Sequence, residues 1–200
     1  MSVLRALLLM VKLVSLTHPG SSIAVPVSAT SRVDEIASNA GVNIIRTKES
    51  RHALIQASLK EGVVFAGAGS GGYIFPDFLP AYDGIMSMVK LLQMMAEQGL
   101  KLSELVDGLP PCHYYTRDLN TSWGSIGQIM RRMQERSGAL RTDFTDGLKI
   151  FVDSRNWVLV LPDAEEPLVH IIVDAEDPIK GEEIIEEYFE SVQQIAEQGG

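Results

Sequence analysis

Apolar and polar residues along this chain follow two different patterns, with the change near residue 105. In the first half, short apolar runs alternate with longer stretches whose apolar residues recur every three or four positions. Strands alternating with helices are typical of an α/β layer with a largely parallel sheet. We therefore predict strands at 22–27, 42–46, 63–66 and 73–75, and helices at 51–60 and 80–99. A further helix, capped by Ser28 or Thr30, is predicted to run to about residue 39.

The N-terminal segment has the pattern of one more helix that faces a core. Leu4, Leu7, Leu8, Val11 and Val14 recur at three- and four-residue steps. The uninterrupted apolar run within this segment is shorter than the roughly 7–15 residues of a secretory signal and the ~20 of a membrane span. We therefore predict no targeting segment and no membrane association, and we expect a cytoplasmic location.

The second half has closely spaced strands with helices outside them, as expected of an antiparallel α+β domain. Gly108-Leu-Pro-Pro111 separates the halves, because two prolines cannot continue a helix. We place the domain boundary so that residues 1–104 form the first domain and 105–200 the second. The second domain is predicted to contain strands at 112–118, 148–152, 156–161 and 168–174, and helices at 122–137 and 181–197.

The predicted helix at 80–99 has a methionine-rich apolar face. Ile85, Met88, Val89, Leu92 and Met95 share it by helical spacing. Methionine often fills gaps in packed interiors. We predict that this face packs into the core; the alternative is an adaptable docking surface.

Composition indicates an ordinary globular protein of 200 residues, with 46% apolar and 22% charged residues. The only cysteine, Cys112, excludes an internal disulfide and a cysteine-built metal site. Residues 161–200 contain 12 of the 26 acidic residues and, among the bases, only Lys180. An acidic end on a nearly neutral body disfavours nucleic-acid binding, which needs clustered basic residues.

Two groups of residues are candidates for ligand contact. Gly67-Ala-Gly-Ser-Gly-Gly72, here called the glycine loop, follows a predicted strand, and its backbone N–H groups could approach a phosphate or a sugar. It lacks the features of a P-loop or dinucleotide fingerprint, and a tight strand-to-strand connection is the alternative. Arg46 and Lys48 end a predicted strand and could approach an anion; the alternative is a solvated strand end. No set of residues resembles a catalytic or metal-binding constellation.

Several stretches, in the same order, resemble the C-terminal half of the α-D-phosphohexomutases (the phosphomannomutase/phosphoglucomutase family). The strongest are residues 65–75, then Asp83-Gly84, with further similarity at 25–37 and 157–162. The resemblance implies an α/β domain with a mixed, largely parallel sheet, followed by an α+β domain with a four-stranded antiparallel sheet. It also implies that the family's phosphoserine domain and magnesium-binding domain are absent from this chain, so no cofactor is expected here.

The sugar-recognition loop of the family, of the type G-E-x-S-G, corresponds to the glycine loop. The resemblance implies sugar contacts for Gly67, Ser70 and Gly71. Ala68 stands where the family has glutamate. Because a methyl group cannot accept hydrogen bonds from sugar hydroxyls, we expect weakened sugar binding.

The phosphate loop of the family, of the type R-P-S-G-T-E-P, corresponds to residues 161–167, here called the acidic loop. Pro162, Glu166 and Pro167 match, but Asp163 replaces the serine and Glu165 the threonine. A phosphate favours arginine, hydroxyl and N–H donors rather than carboxylates. We therefore predict that this loop does not clamp phosphate. Three further replacements are Leu161 for arginine, Ala164 for glycine and His170 for an arginine that commonly follows.

These observations lead to one functional hypothesis and two alternatives. We expect a phosphohexomutase-like C-terminal module that is inactive on its own and has a structural or regulatory role. Its expected partner is an upstream mutase or nucleotidyltransferase domain, as in a mannose-1-phosphate guanylyltransferase-type enzyme, and hexose phosphate binding is weak or absent. The first alternative is the sugar- and phosphate-binding half of an active phosphomannomutase/phosphoglucomutase. The second is a scaffold whose ligand is unrelated to sugars.

Overall fold

The computed structural model of the chain describes residues 2–198. It contains two compact units that divide between Pro111 and Cys112. The predicted boundary at 104/105 is therefore placed too early, since it falls inside helix α5 (Leu102–Asp107). That helix is tied to the first unit because Arg5 donates a hydrogen bond to the Val106 carbonyl at 3.0 Å.

The first unit is built around a four-stranded sheet with the order β2-β1-β3-β4. β1 is parallel to both of its neighbours, and the short β4 is antiparallel to β3. The mixed, largely parallel sheet predicted from the sequence is therefore confirmed. Along the chain the elements are α1 (Val3–Thr17), β1 (Ser22–Pro26), α2 (Arg32–Ser38), β2 (Asn43–Thr47), α3 (Arg51–Ser58), β3 (Val63–Gly67), β4 (Tyr73–Ile74), α4 (Gly84–Gln98) and α5.

Helix α1 is a core helix, as its apolar spacing predicts. Leu7, Leu8, Val11 and Val14 are fully or almost fully buried. Across residues 2–198, none of the helices combines the length and the apolar character that crossing a bilayer requires.

Helix α4 differs from the sequence prediction in two ways. It starts at Gly84 rather than near residue 80, because the Asp83 carboxylate caps it by accepting the Met86 N–H at 2.8 Å. Its apolar face is also not in the core: Ile85, Met88 and Leu92 are 82%, 64% and 59% exposed. The core-filling prediction is therefore wrong, and the opposite face of the helix packs on the unit.

The second unit contains a five-stranded antiparallel sheet with the order β5-β9-β8-β7-β6. The fifth strand, β6, has only two residues and lies at the edge, beyond the four predicted strands. Helices α6 and α7 pack on one face of the sheet over a core that includes Ile129, Val158, Ile171 and Ile184. The elements are β5 (His113–Asn120), α6 (Trp123–Ser137), β6 (Thr142–Asp143), β7 (Leu148–Phe151), β8 (Trp157–Pro162), β9 (Leu168–Ala175) and α7 (Pro178–Glu197).

Candidate functional site

The glycine loop joins β3 to the antiparallel β4 in a tight turn. Gly71 and Gly72 have φ values of +101° and +85°, a region that L side chains rarely adopt. Gly67 has no room for a side chain, since a Cβ there would lie 2.8 Å from the Phe65 ring and 2.9 Å from the Tyr73 ring. The turn is closed by a hydrogen bond from the Gly71 N–H to the Ala68 carbonyl at 3.1 Å. Chain geometry thus accounts for these glycines without a ligand.

Ser70 and Ala68 face different surroundings in this loop. Ser70 is exposed at the tip. The Ala68 methyl is only 6% exposed and belongs to an apolar cluster with Ala24 and Leu54. A glutamate at position 68 would have to leave this cluster to reach solvent, so the backbone as folded does not present position 68 to a sugar.

Arg46 braces the loop between β1 and α2 instead of pointing to an open anion site. Its guanidinium donates to the Ala29 carbonyl at 2.5 Å and to the Pro26 carbonyl at 3.3 Å, and it pairs with Asp34. A third carbonyl, that of Thr30, lies 3.4 Å away. These contacts occupy the donors that an anion would need, so the geometry supports a structural role for Arg46.

Lys48 contrasts with Arg46, although both stand at the end of β2. Its side chain is exposed. The solvated strand end described as the alternative fits this position, and the exposed ammonium can still contact an anion.

In the acidic loop, the backbone donors are used by the loop itself. One carboxylate oxygen of Asp163, Oδ1, accepts the N–H groups of Glu165 and Glu166, each at 2.8 Å. Aspartate commonly makes such turns with the backbone two or three residues on. The carboxylate thus occupies the two consecutive amides that an external anion would need.

His170 holds the second oxygen of the same carboxylate. Its Nε2 lies 3.2 Å from Asp163 Oδ2, and its Nδ1 lies 2.8 Å from Oδ1 of Asp118. Asp118 is directly opposite His170 in the antiparallel pairing of β5 and β9. The sequence analysis did not predict the contact between His170 and Asp118, which only the register of β5 with β9 would have revealed.

The charges in this cluster shift each other's proton affinity. Partial burial acts to lower the pKa of His170, but its hydrogen bonds to Asp118 and Asp163 outweigh this and raise the pKa above its usual value. The backbone N–H groups of Glu165 and Glu166, followed by His170, hold the pKa of Asp163 below its usual value. Each shift favours the charged form of its group, an imidazolium on His170 and a carboxylate on Asp163.

The other acidic-loop positions do not restore an anion site. Glu165 and Glu166 are exposed, so their carboxylates add negative charge to the loop surface. Leu161, where the family has arginine, is 7% exposed and packs beside Gly147. Pro162 is partly buried at the end of β8. The loop therefore presents carboxylates to solvent and apolar atoms to the interior.

The structure also bears on a metal ion. Within residues 2–198, no group of three or more His, Cys, Asp or Glu side chains is arranged to hold one.

A cavity of about 640 Å³ lies elsewhere in the first unit, beside α1 and α2. It is lined by Lys12, Ser15 and Asn39, among others. Helix α1 leads into β1 and helix α2 leads into β2, and the cavity lies beside the C-terminal ends of both helices. It is therefore near the N-terminal ends of these parallel strands. The glycine loop follows the carboxyl end of β3, and the candidate site residues do not line this cavity.

Comparison with known proteins identifies the chain's relatives. The family profile for phosphoglucomutase/phosphomannomutase, alpha/beta/alpha domain III, matches residues 5–113. A phosphoglucomutase/phosphomannomutase of Thermococcus kodakarensis is 34% identical over 178 residues, which is 88% of this chain and 38% of the relative. A probable phosphoglucosamine mutase of Methanopyrus kandleri is 30% identical over 90% of this chain and 40% of the relative. The chain thus spans about two fifths of the length of these relatives.

Solved structures share the fold of both units. A phosphoglucomutase/phosphomannomutase family protein of Burkholderia thailandensis superimposes with a TM-score of 0.78 at 22% identity, over 98% of this chain and 42% of that protein. The open form of parafusin from Paramecium, a phosphoglucomutase, gives a TM-score of 0.73 at 11% identity. Together with the domain III match, these findings show that the chain belongs to the phosphoglucomutase/phosphomannomutase family and carries its domain III and the domain that follows.

Proposed function

We propose that this chain is a catalytically silent phosphohexomutase module whose acidic loop does not clamp hexose phosphate. The observation that carries this proposal is the position of the Asp163 carboxylate, which accepts both the Glu165 and Glu166 N–H groups. A phosphate would have to displace this carboxylate and then lie beside it. Because both groups are anions, the displaced arrangement is electrostatically unfavourable.

The glycine loop supports weak sugar contact at most. Ser70 keeps an exposed hydroxyl, and Gly71 lies in the same turn. Position 68, in contrast, carries a buried methyl rather than a hydrogen-bond acceptor. Of the two basic residues at the end of β2, Arg46 is engaged with backbone carbonyls and only Lys48 is exposed. A hexose phosphate therefore finds few partners on this chain.

The role that fits such a module is structural or regulatory. We propose that it acts beside a mutase or a sugar-nucleotide-forming nucleotidyltransferase of the mannose-1-phosphate guanylyltransferase type. To test the second partner, the purified chain is mixed with a guanylyltransferase from the same genome. Co-sedimentation, or a change in GDP-mannose formation, supports this partner; independent sedimentation with unchanged activity contradicts it.

Calorimetry tests whether the acidic loop has lost phosphate binding. Mannose 1-phosphate and glucose 6-phosphate are titrated into the wild-type chain and into the double variant Asp163→Ser/Glu165→Thr. We expect no submillimolar binding by the wild-type chain and a gain of affinity in the variant, since two amides and two hydroxyls become available. The control variant Glu182→Gln/Glu190→Gln also removes two charges, but on α7, and is expected to bind no better than wild type.

The alternative function is the sugar- and phosphate-binding half of an active phosphomannomutase/phosphoglucomutase. The observation that favours it is the 34% identity to a relative that bears this name. Submillimolar binding of either hexose phosphate by the wild-type chain would support this alternative and count against the silent module.

A further inference from the structure

Helix α4 has an exposed apolar face that the candidate site does not use. Ile85, Met88, Val89 and Leu92 are 82%, 64%, 51% and 59% exposed. At 100° per residue, these four positions lie within about 50° of one line along the helix. The buried residues Ser87 and Met94 lie on the opposite side. The face is therefore turned directly away from the unit's own core.

The four residues are symmetric about the midpoint between Met88 and Val89. If a second α4 packs antiparallel across a twofold axis at this midpoint, Ile85 meets Leu92 of the other copy and Met88 meets Val89 of the other copy. A twofold interface requires such self-complementarity, because each patch must fit its own copy. An i, i+3, i+4, i+7 pattern is also the spacing by which two helices pack side by side.

Charge and size agree with this pairing. Lys90, the one charged residue of α4 between Ile85 and Leu92, points away from this face and pairs with Asp77 at 2.8 Å, so it brings no like charge to the contact. From their exposed fractions, the four side chains present roughly 450 Å² per chain. Two copies therefore bury at most about 900 Å² through these residues, an area that corresponds to a weak, reversible interface. Flexible methionine at the centre can adjust to such a contact.

We propose that the occupant of this face is a second copy of the chain, bound through antiparallel α4–α4 contact. Sedimentation velocity on the 200-residue chain, from micromolar to millimolar concentration, is expected to show a reversible monomer–dimer equilibrium. Met88→Glu and Val89→Lys should each weaken it by at least about tenfold, because each introduces a charge into both symmetric contacts. The control Glu97→Lys reverses a charge on a flank of α4 and should leave the equilibrium unchanged.

Mixing the two variants tests the register. A heterodimer of Met88→Glu with Val89→Lys contains one ion pair and one unaltered Met88–Val89 contact, so the mixture should associate more tightly than either variant alone. A chain that is monomeric throughout the concentration range would overturn the proposal. So would a dimer that neither variant weakens, or variants that gain nothing on mixing. Circular dichroism of each variant confirms that the helix is intact.

A crosslink measures the same register independently. In a Cys112→Ser background, Ile85→Cys chains mixed with Leu92→Cys chains should form a mixed disulfide under mild oxidation. Each alone should crosslink less, since identical positions lie about 10 Å apart along antiparallel helices, beyond disulfide reach. Equal crosslinking of all combinations would contradict the twofold arrangement.

Discussion

Replacing Arg46 with methionine separates a structural role from anion binding. The substitution keeps a long side chain but removes the donors that reach the Pro26, Ala29 and Thr30 carbonyls. These carbonyls belong to the segment between β1 and α2. We expect this segment to loosen and the first unit to lose stability.

The size of the loss follows from the contacts. The side chain of Arg46 is 20% exposed, so its bonds are only partly screened by solvent. The Ala29 bond at 2.5 Å is strong, whereas the bonds to Pro26 and Thr30 are near the distance limit. A hydrogen bond from a charged donor contributes about 1.5–3 kcal/mol, and the half-exposed Asp34 pair adds at most about 1 kcal/mol. We therefore expect a loss of about 2–4 kcal/mol.

The assay has to follow the first unit by itself. Both tryptophans, Trp123 and Trp157, lie in the second unit. Urea unfolding followed by tryptophan emission therefore serves as an internal reference, and amide hydrogen exchange of β1 and β2 reports on the first unit. Lys48→Met is the matched control at the same strand end, with an expected change within about 0.5 kcal/mol.

Comparing the variants gives a clear outcome. Arg46→Lys keeps the charge but loses the planar fork of donors, so it should lie between wild type and Arg46→Met. If Arg46→Met is no less stable than Lys48→Met, the bracing role is wrong. If Arg46→Met loses anion binding but not stability, Arg46 contacts an anion rather than bracing the loop.

Three further predictions concern the other site residues. His170→Gln should remove the stability that the protonated imidazole gives the folded protein. This contribution is fully present below the ordinary histidine pKa of 6.5 and is lost as pH rises through the raised pKa of the folded state. Urea midpoints, followed by tryptophan emission, should therefore differ more between wild type and variant at acidic than at alkaline pH. Ser70→Ala should change the free energy of unfolding by less than about 0.5 kcal/mol in thermal melts, and a larger loss would make the serine a structural turn residue. Gly147→Ala should cost about 2 kcal/mol or more in urea unfolding, because its φ is +61° and a Cβ would lie 2.5 Å from the Val160 carbonyl oxygen; an unchanged midpoint would contradict this.

The main elements could be predicted because the spacing of apolar residues, and the glycine, proline or polar residues that bound each run, are local features of the sequence. The strands at β1 and β3 are short apolar runs bounded by glycine or polar residues, and α1 repeats its apolar residues every three or four positions. The exposed face of α4 could not be predicted this way. Its spacing shows that one side is apolar but does not show which side the rest of the protein covers. Strand β6 has only two residues, too few to show the alternation of apolar and polar residues that identifies a strand.

The site was less predictable because its contacts join distant residues. The substitution of Asp163 for serine is visible in the sequence, and so is its conflict with phosphate. The reach of its carboxylate to the next amides is a local turn preference that the sequence also contains. The bond from His170 to Asp118 depends on the register of β5 with β9, and the carbonyls around Arg46 depend on the fold of another loop. Neither is encoded in residue spacing.

The occupied amides of Glu165 and Glu166 have a consequence for how the second unit responds to metabolites. A ligand changes a protein's stability only to the extent that it binds the folded state. With Asp163 accepting both of those amides inside the chain, the loop closes on itself without an external anion. On the function proposed above, added sugar esters therefore leave the stability of the second unit unchanged, whereas a loop that clamped phosphate would gain stability from them.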